Sequence, residues 1–199
     1  MPYRTSPPLA RWRHPRRDAI DALRAAHGAA GRAGRRPVAQ AYVLRLVAEF
    51  QGFTRELHDY GADRLARMTG AVPPVTAALI RAATSGRALD RGNADLRCLD
   101  ADFRRLGIDR LGVRLGAANP RWSAGRGHPG DRAELARLIA LRNSLAHGND
   151  RQLTDLRRDG LLDTLAWAHA RLPALNRIAR ALDFVVWTHL HDIYGEEPW

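Results

Sequence analysis

The amino-acid sequence predicts an all-α fold, a helical bundle of two long and two or three shorter helices. Three observations lead there. Apolar residues recur at helical spacing through two long stretches, residues 38–68 and 161–193. Glycine and proline gather between the apolar stretches, where helices should stop. No alternating apolar–polar run of useful length is present, and no internal repeat, so a sheet has nothing to build on.

The elements follow in chain order. Residues 1–36 read as a basic N-terminal extension, partly flexible. Pro2, Pro7, Pro8 and Pro15 discourage regular structure, one short helix fits residues 16–27, and Gly28, Gly31 and Gly34 interrupt it. The helical domain then occupies residues 37–199. Its first long helix spans 38–68, with Tyr42, Leu46, Phe50, Phe53 and Leu57 on one face, and Gly70 with Pro73-Pro74 ends it. A shorter helix fits 75–83. Asn93 is placed to cap another, with Leu96, Leu99, Phe103 and Leu106 facing inward and Gly107 as its stop. Residues 107–130 read as a connection anchored by Trp122. Asp131 opens a helix whose apolar stripe is Leu135, Leu138, Ile139, Leu141 and Leu145, and Gly148 stops it. The last helical region, 161–193, is kinked or divided at Pro173. Trp167, Phe184 and Trp187 in it are expected in the core.

Composition narrows the function classes. The chain of 199 residues carries a formal net charge of +11, and all 32 basic residues are arginines. A guanidinium pairs with phosphate oxygens through a planar fork and stacks on bases, so a nucleic-acid partner fits the charge. An Ala- and Arg-rich composition can equally reflect a GC-rich genome. A single cysteine, Cys98, allows no intrachain disulfide and no thiolate cluster, which suits a reducing cytoplasm. No apolar run approaches the ~18 residues of a membrane span, and no secretory signal is apparent at the N-terminus. A cytoplasmic protein is expected.

Metal sites find little support. His189 and His191, two residues apart, point to different faces of a helix. Asp100, Asp102 and Asp109 read as ordinary helix-surface and turn acids, and His58 and His169 as surface or packing residues. Neither metal nor cofactor is expected.

The segment that can carry chemistry is Arg142-Asn143-Ser144-Leu145-Ala146-His147. On a continuous helix its Arg and His would stand about 140° apart. A backbone that leaves the helix at Gly148 can swing the imidazole back toward the guanidinium. The bland alternatives are an arginine paired with a neighbouring acid and a histidine placed by the helix dipole.

This segment resembles the Arg-x4-His motif of the HEPN superfamily, in its ribonuclease-like branches. The stretch from Val47 to Leu57 is similar to the first long helix of HEPN proteins described as RiboL-PSP-like, and Leu182-Asp183-Phe184-Val185-Val186 is similar to their last. The resemblance covers roughly residues 38–193. It implies metal-independent RNA cleavage by attack of a 2′-hydroxyl on the adjacent phosphate, leaving a 2′,3′-cyclic phosphate and a 5′-hydroxyl. The chemistry suits the residues. An imidazole, with a reference pKa of about 6.5, exchanges protons near neutrality, and a guanidinium stabilises charge gathering on the phosphate.

Arg142, His147 and Asn143 are thus the expected catalytic residues, with Ser144 and Glu49 positioning substrate or Arg142. One motif supplies one histidine, so the resemblance also implies a homodimer with two motifs facing one cleft. It implies too a toxin or phage-defence role, with an antitoxin or regulatory protein as partner. Two alternatives stand beside this. One is a non-catalytic HEPN-type module that binds RNA or nucleotide. The other is an interaction protein whose basic arm holds nucleic acid.

Overall fold

The computed structural model describes residues 3–199, and among these it is an all-α helical bundle. The only β-type pairing among the described residues is an isolated bridge between Gly125 and His128. The helices are α1 (Pro7–Arg13), α2 (Pro15–Ala29), α3 (Arg35–Met68), α4 (Pro73–Thr84), α5 (Ala88–Arg91), α6 (Leu96–Phe103), α7 (Leu111–Ala118), α8 (Asp131–Ala146), α9 (Asp150–Arg158), α10 (Leu165–His169) and α11 (Leu172–Tyr194). No helix among the described residues is long and apolar enough to cross a membrane.

The two long helices are where the periodicity puts them. α3 is the axis: at 34 residues it runs about 50 Å, and α1, α2, α4, α8, α10 and α11 all pack on it. Its inward stripe of Tyr42, Leu46, Phe50, Phe53 and Leu57 is fully buried. α11 answers with Leu175, Ile178, Leu182, Val186 and Leu190, and α8 with Leu135, Leu138 and Leu141. Where α3 passes the residues following α6 and the middle of α11, Gly61 keeps the approach close. A Cβ on Gly61 would lie 3.1 Å from Leu106 and 3.2 Å from Val186. The last helical region is divided just before Pro173, into α10 and α11, and the proline sits in the first turn of α11, where no backbone N–H is needed.

Residues 3–34 are the main departure from the expected extension. They form two helices packed against α3, α1 also touching α11. The prolines read as breakers are helix starters: Pro7 opens α1 and Pro15 opens α2. Ser6 caps α1 by accepting the Leu9 N–H. Leu9, Trp12 and Ile20 enter the same hydrophobic core as Phe50 and Phe53. Polar contacts reinforce this docking. The Trp12 indole N–H donates to Asn176 Oδ1 at 2.9 Å, and Arg16 pairs with both Glu49 and Glu56 at 2.5 Å.

Asp183, at the inner face of α11, anchors the segment from Tyr3 to Ser6. Its carboxylate is fully buried and accepts from the Tyr3 hydroxyl, the Ser6 hydroxyl and the Ser6 N–H. Burial pushes its pKa up, against the pull of the Ser6 and Tyr3 hydrogen bonds. An acid whose folded pKa lies above its unfolded value holds its proton more tightly when folded. Its contribution to stability is therefore greatest below the ordinary carboxylate range and is lost as pH rises toward the raised value. Melting temperature measured across acidic to neutral pH should show this fall, and Asp183→Asn should flatten it.

Smaller departures are local. The 107–130 connection contains α7, and α9 was not anticipated. Asp95, not Asn93, caps α6, accepting the Cys98 N–H at 2.8 Å. Phe184 is 41% exposed rather than in the core, packing edge-on against Tyr3, while Trp167, Trp187 and Trp122 are buried. His189 is turned to the Leu106 carbonyl at 2.9 Å, and His191 bonds the Glu196 carbonyl and stacks on Trp187.

Candidate nucleic-acid cleft at the end of α8

The end of α8 is a complete glycine stop. Gly148 takes φ +60°, its N–H reaches the Leu145 carbonyl at 3.5 Å, and the Asn149 N–H reaches the Ser144 carbonyl at 3.0 Å. Asn149 then caps α9 through the Gln152 N–H at 3.0 Å. Only Gly148 and Asn149 separate α9 from His147, which is left exposed at this junction with no side-chain hydrogen bond among the described residues. A Cβ at position 148 would meet no neighbour, so only the left-handed backbone resists substitution. Gly148→Ala is therefore expected to cost about 1 kcal/mol, read as a drop of about 2–4 °C in melting temperature, and to displace the imidazole.

Arg142 and His147 line one open, polar cleft of about 680 Å³, together with Asn143. Its opposite wall comes from α3 (Ala48, Gln51, Gly52 and Arg55) and from the α5 turn (Asp90, Arg91, Gly92 and Asn93). Arg142 makes no ion pair among the described residues. Its one side-chain bond is from Nη1 to the Asn143 Oδ1 at 3.2 Å. That same oxygen accepts from Asn93 Nδ2 at 2.9 Å, so Asn143 joins the two walls. Three guanidiniums (Arg55, Arg91 and Arg142) face a single carboxylate, Asp90, which Arg55 approaches to 3.5 Å and Arg87 to 3.2 Å. The cleft is left with a positive balance, suited to an anion.

The wall made by α5 is fixed from below. Gln51 Nε2 donates to the carbonyls of Leu89 and Gly92 at 2.8 and 2.6 Å, and Arg55 donates to Leu89 at 2.9 and 2.6 Å. Asp102 is no surface acid. Buried, it accepts the N–H groups of Ala88 and Leu89 at 2.9 and 2.8 Å. His58 is buried beside it, bonding the Asp102 carbonyl through Nε2 at 2.9 Å and facing Arg87 through Nδ1 at 3.3 Å. Burial lowers the His58 pKa, which keeps the ring neutral and compatible with the guanidinium next to it.

Two expected residues are not in the cleft. Glu49 does not reach Arg142. It is 6% exposed and is held between Arg16 and Arg45, both at 2.5 Å, because the docked α2 brings Arg16 across this face of α3. Ser144 is 1% exposed and donates to the Ala140 carbonyl at 3.1 Å, one turn back in its own helix. Neither can touch a substrate in this arrangement. Gln51, Arg55, Arg91, Asn93 and Gln152 are cleft residues that motif reading did not find. The polar face of α3, with Ala48, Gln51, Gly52 and Arg55 at helical spacing, was the available signal.

Fold and cleft together define an all-α bundle with a basic, polar groove at a helix end. No protein-family model matches the chain, and neither a curated protein nor a solved structure does.

Proposed function

We propose that this chain is a metal-independent endoribonuclease of the HEPN type, with Arg142 and His147 as its catalytic pair. The observation that carries the reading is that an unpaired guanidinium and an exposed imidazole, five residues apart in sequence, open into one positively charged cleft. A phosphodiester in the cleft would be bound by Arg142 and flanked by Arg55 and Arg91. O2′ then forms a bond to phosphorus while the bond to O5′ breaks, the 2′ proton leaves to a base and a proton arrives at O5′ from an acid. His147 fills one of these roles. In a homodimer the second copy's motif supplies the other. Arg142 stabilises the charge that builds on the phosphate oxygens, and Asn143 orients Arg142 through its Oδ1. A cytoplasmic toxin or phage-defence effector, restrained by an antitoxin or regulatory protein, is the setting this reading implies.

A second reading, a module that binds RNA without cutting it, draws on the same charge and the same cleft. Incubation of purified protein with total RNA in EDTA separates them. The proposed activity gives discrete products whose ends map to internal sites. Intact RNA alongside measurable binding would favour the second reading.

A further inference from the structure

A second groove, of about 660 Å³, opens on the other end of α8, lined by Arg97, Arg110 and Arg132 with Asp100 and Trp122. None of the three arginines makes an ion pair or a side-chain hydrogen bond among the described residues, in a chain where many other arginines are paired with acids. The groove's carboxylate is already engaged: Asp100 accepts the Leu111 N–H at 2.9 Å and pairs with Arg104 at 2.5 Å. Arg110 is also the one non-glycine residue with positive φ among those described, at φ 50° and ψ 48°. A glycine would hold that turn without strain, so the guanidinium is kept against the backbone's preference.

The position of this groove links it to the cleft. Arg132 and Asn143 are eleven residues apart on α8, which puts them on one face, three turns or about 16 Å from each other. On the facing side, Asn93 belongs to the cleft, while Leu96 and Arg97, a few residues on, belong to the groove.

We infer that Arg97, Arg110 and Arg132 form a phosphate-binding subsite for the same RNA strand whose scissile phosphate sits at Arg142 and His147. This rests on the ribonuclease reading for what occupies the cleft. It makes the substrate an RNA strand long enough to span both openings, and a very short oligonucleotide a poor ligand.

The test is direct binding of fluorescent single-stranded 2′-O-methyl RNA, of two and of twelve nucleotides, to the full chain. These strands lack the attacking hydroxyl, so binding is read whether or not the protein cuts RNA. The twelve-nucleotide strand is expected to bind at least about ten-fold tighter than the short one, through its added phosphate contacts. The Arg97→Ala/Arg132→Ala protein should lose that gain, keep its affinity for the short strand, and show a salt dependence shallower by about 1.4 in log–log slope. Arg110→Gly should weaken the long strand as well while melting no lower than the parent, which a merely structural arginine would not do. Equal binding of both lengths by the parent, or a length gain that survives in both variants, would overturn the subsite. If the gain appears but the parent cleaves no RNA, the groove stands and the nuclease reading falls. Cleavage without a length gain removes the groove alone.

Discussion

The His147→Ala protein is expected to fold normally and to lose RNA cleavage by about 10²- to 10⁴-fold, the range a positioned general acid or base supplies. The two halves of that result come from one fact. The imidazole lies at the exposed end of α8 and bonds to no described residue, so its removal should change stability by no more than about 0.5 kcal/mol. An activity loss without a stability loss separates chemistry from packing. Arg142→Ala should fall by about 10²- to 10³-fold for loss of charge stabilisation. Arg142→Lys should recover only part of that, since an ammonium lacks the planar fork. Initial rates on a defined RNA, with a thermal melt of each variant, provide the check. A binding-only module would instead show RNA affinity that His147→Ala leaves unchanged.

Trp12→Ala should be among the most destabilising single substitutions in the chain, by about 3–5 kcal/mol and roughly 10 °C in melting temperature. Trp12 is 3% exposed, meets Phe50 edge-on with centroids 5.7 Å apart, lies 6.0 Å from Phe53, and spends its indole N–H on Asn176. Its loss would leave a cavity at the junction of α1, α3 and α11 and an unpaired amide on α11. Thermal or urea denaturation measures this directly. A freely mobile arm would give a change within about 0.5 kcal/mol. Truncating residues 1–36 is for the same reason no clean test of nucleic-acid binding by the arm, because it would uncover Tyr42, Phe50 and Phe53.

The long helices were legible in the sequence because their signals are local and redundant. α3 has an unbroken apolar stripe and a Gly70–Pro73 stop, and the shorter α8 has an acidic first turn and a glycine two residues past its end. The exit at Gly148 was legible for the same reason, and with it the junction at which His147 stands. What stayed hidden depends on partners distant in sequence. The same Pro7 and Pro15 that break a helix from within start one from its first turn, and the sequence around them does not say which. α7 and α9 are short, eight and nine residues, and flanked by glycine-rich turns that look like connection. The assignment of Glu49 failed because a contact across 33 positions, with Arg16, took the carboxylate first. The Asn93–Asn143 bond, which closes the cleft, spans 50 positions and has no local signature at all.

The most direct measurement of what Arg142 and His147 do uses an oligonucleotide of deoxynucleotides with a single ribonucleotide, incubated with the protein in EDTA and weighed by mass spectrometry. Chemistry driven by the neighbouring hydroxyl predicts one scission, immediately 3′ of that ribonucleotide, leaving a cyclic phosphate on one fragment and a free 5′-hydroxyl on the other. Scission elsewhere, fragments bearing a 5′-phosphate, or an intact strand would contradict it.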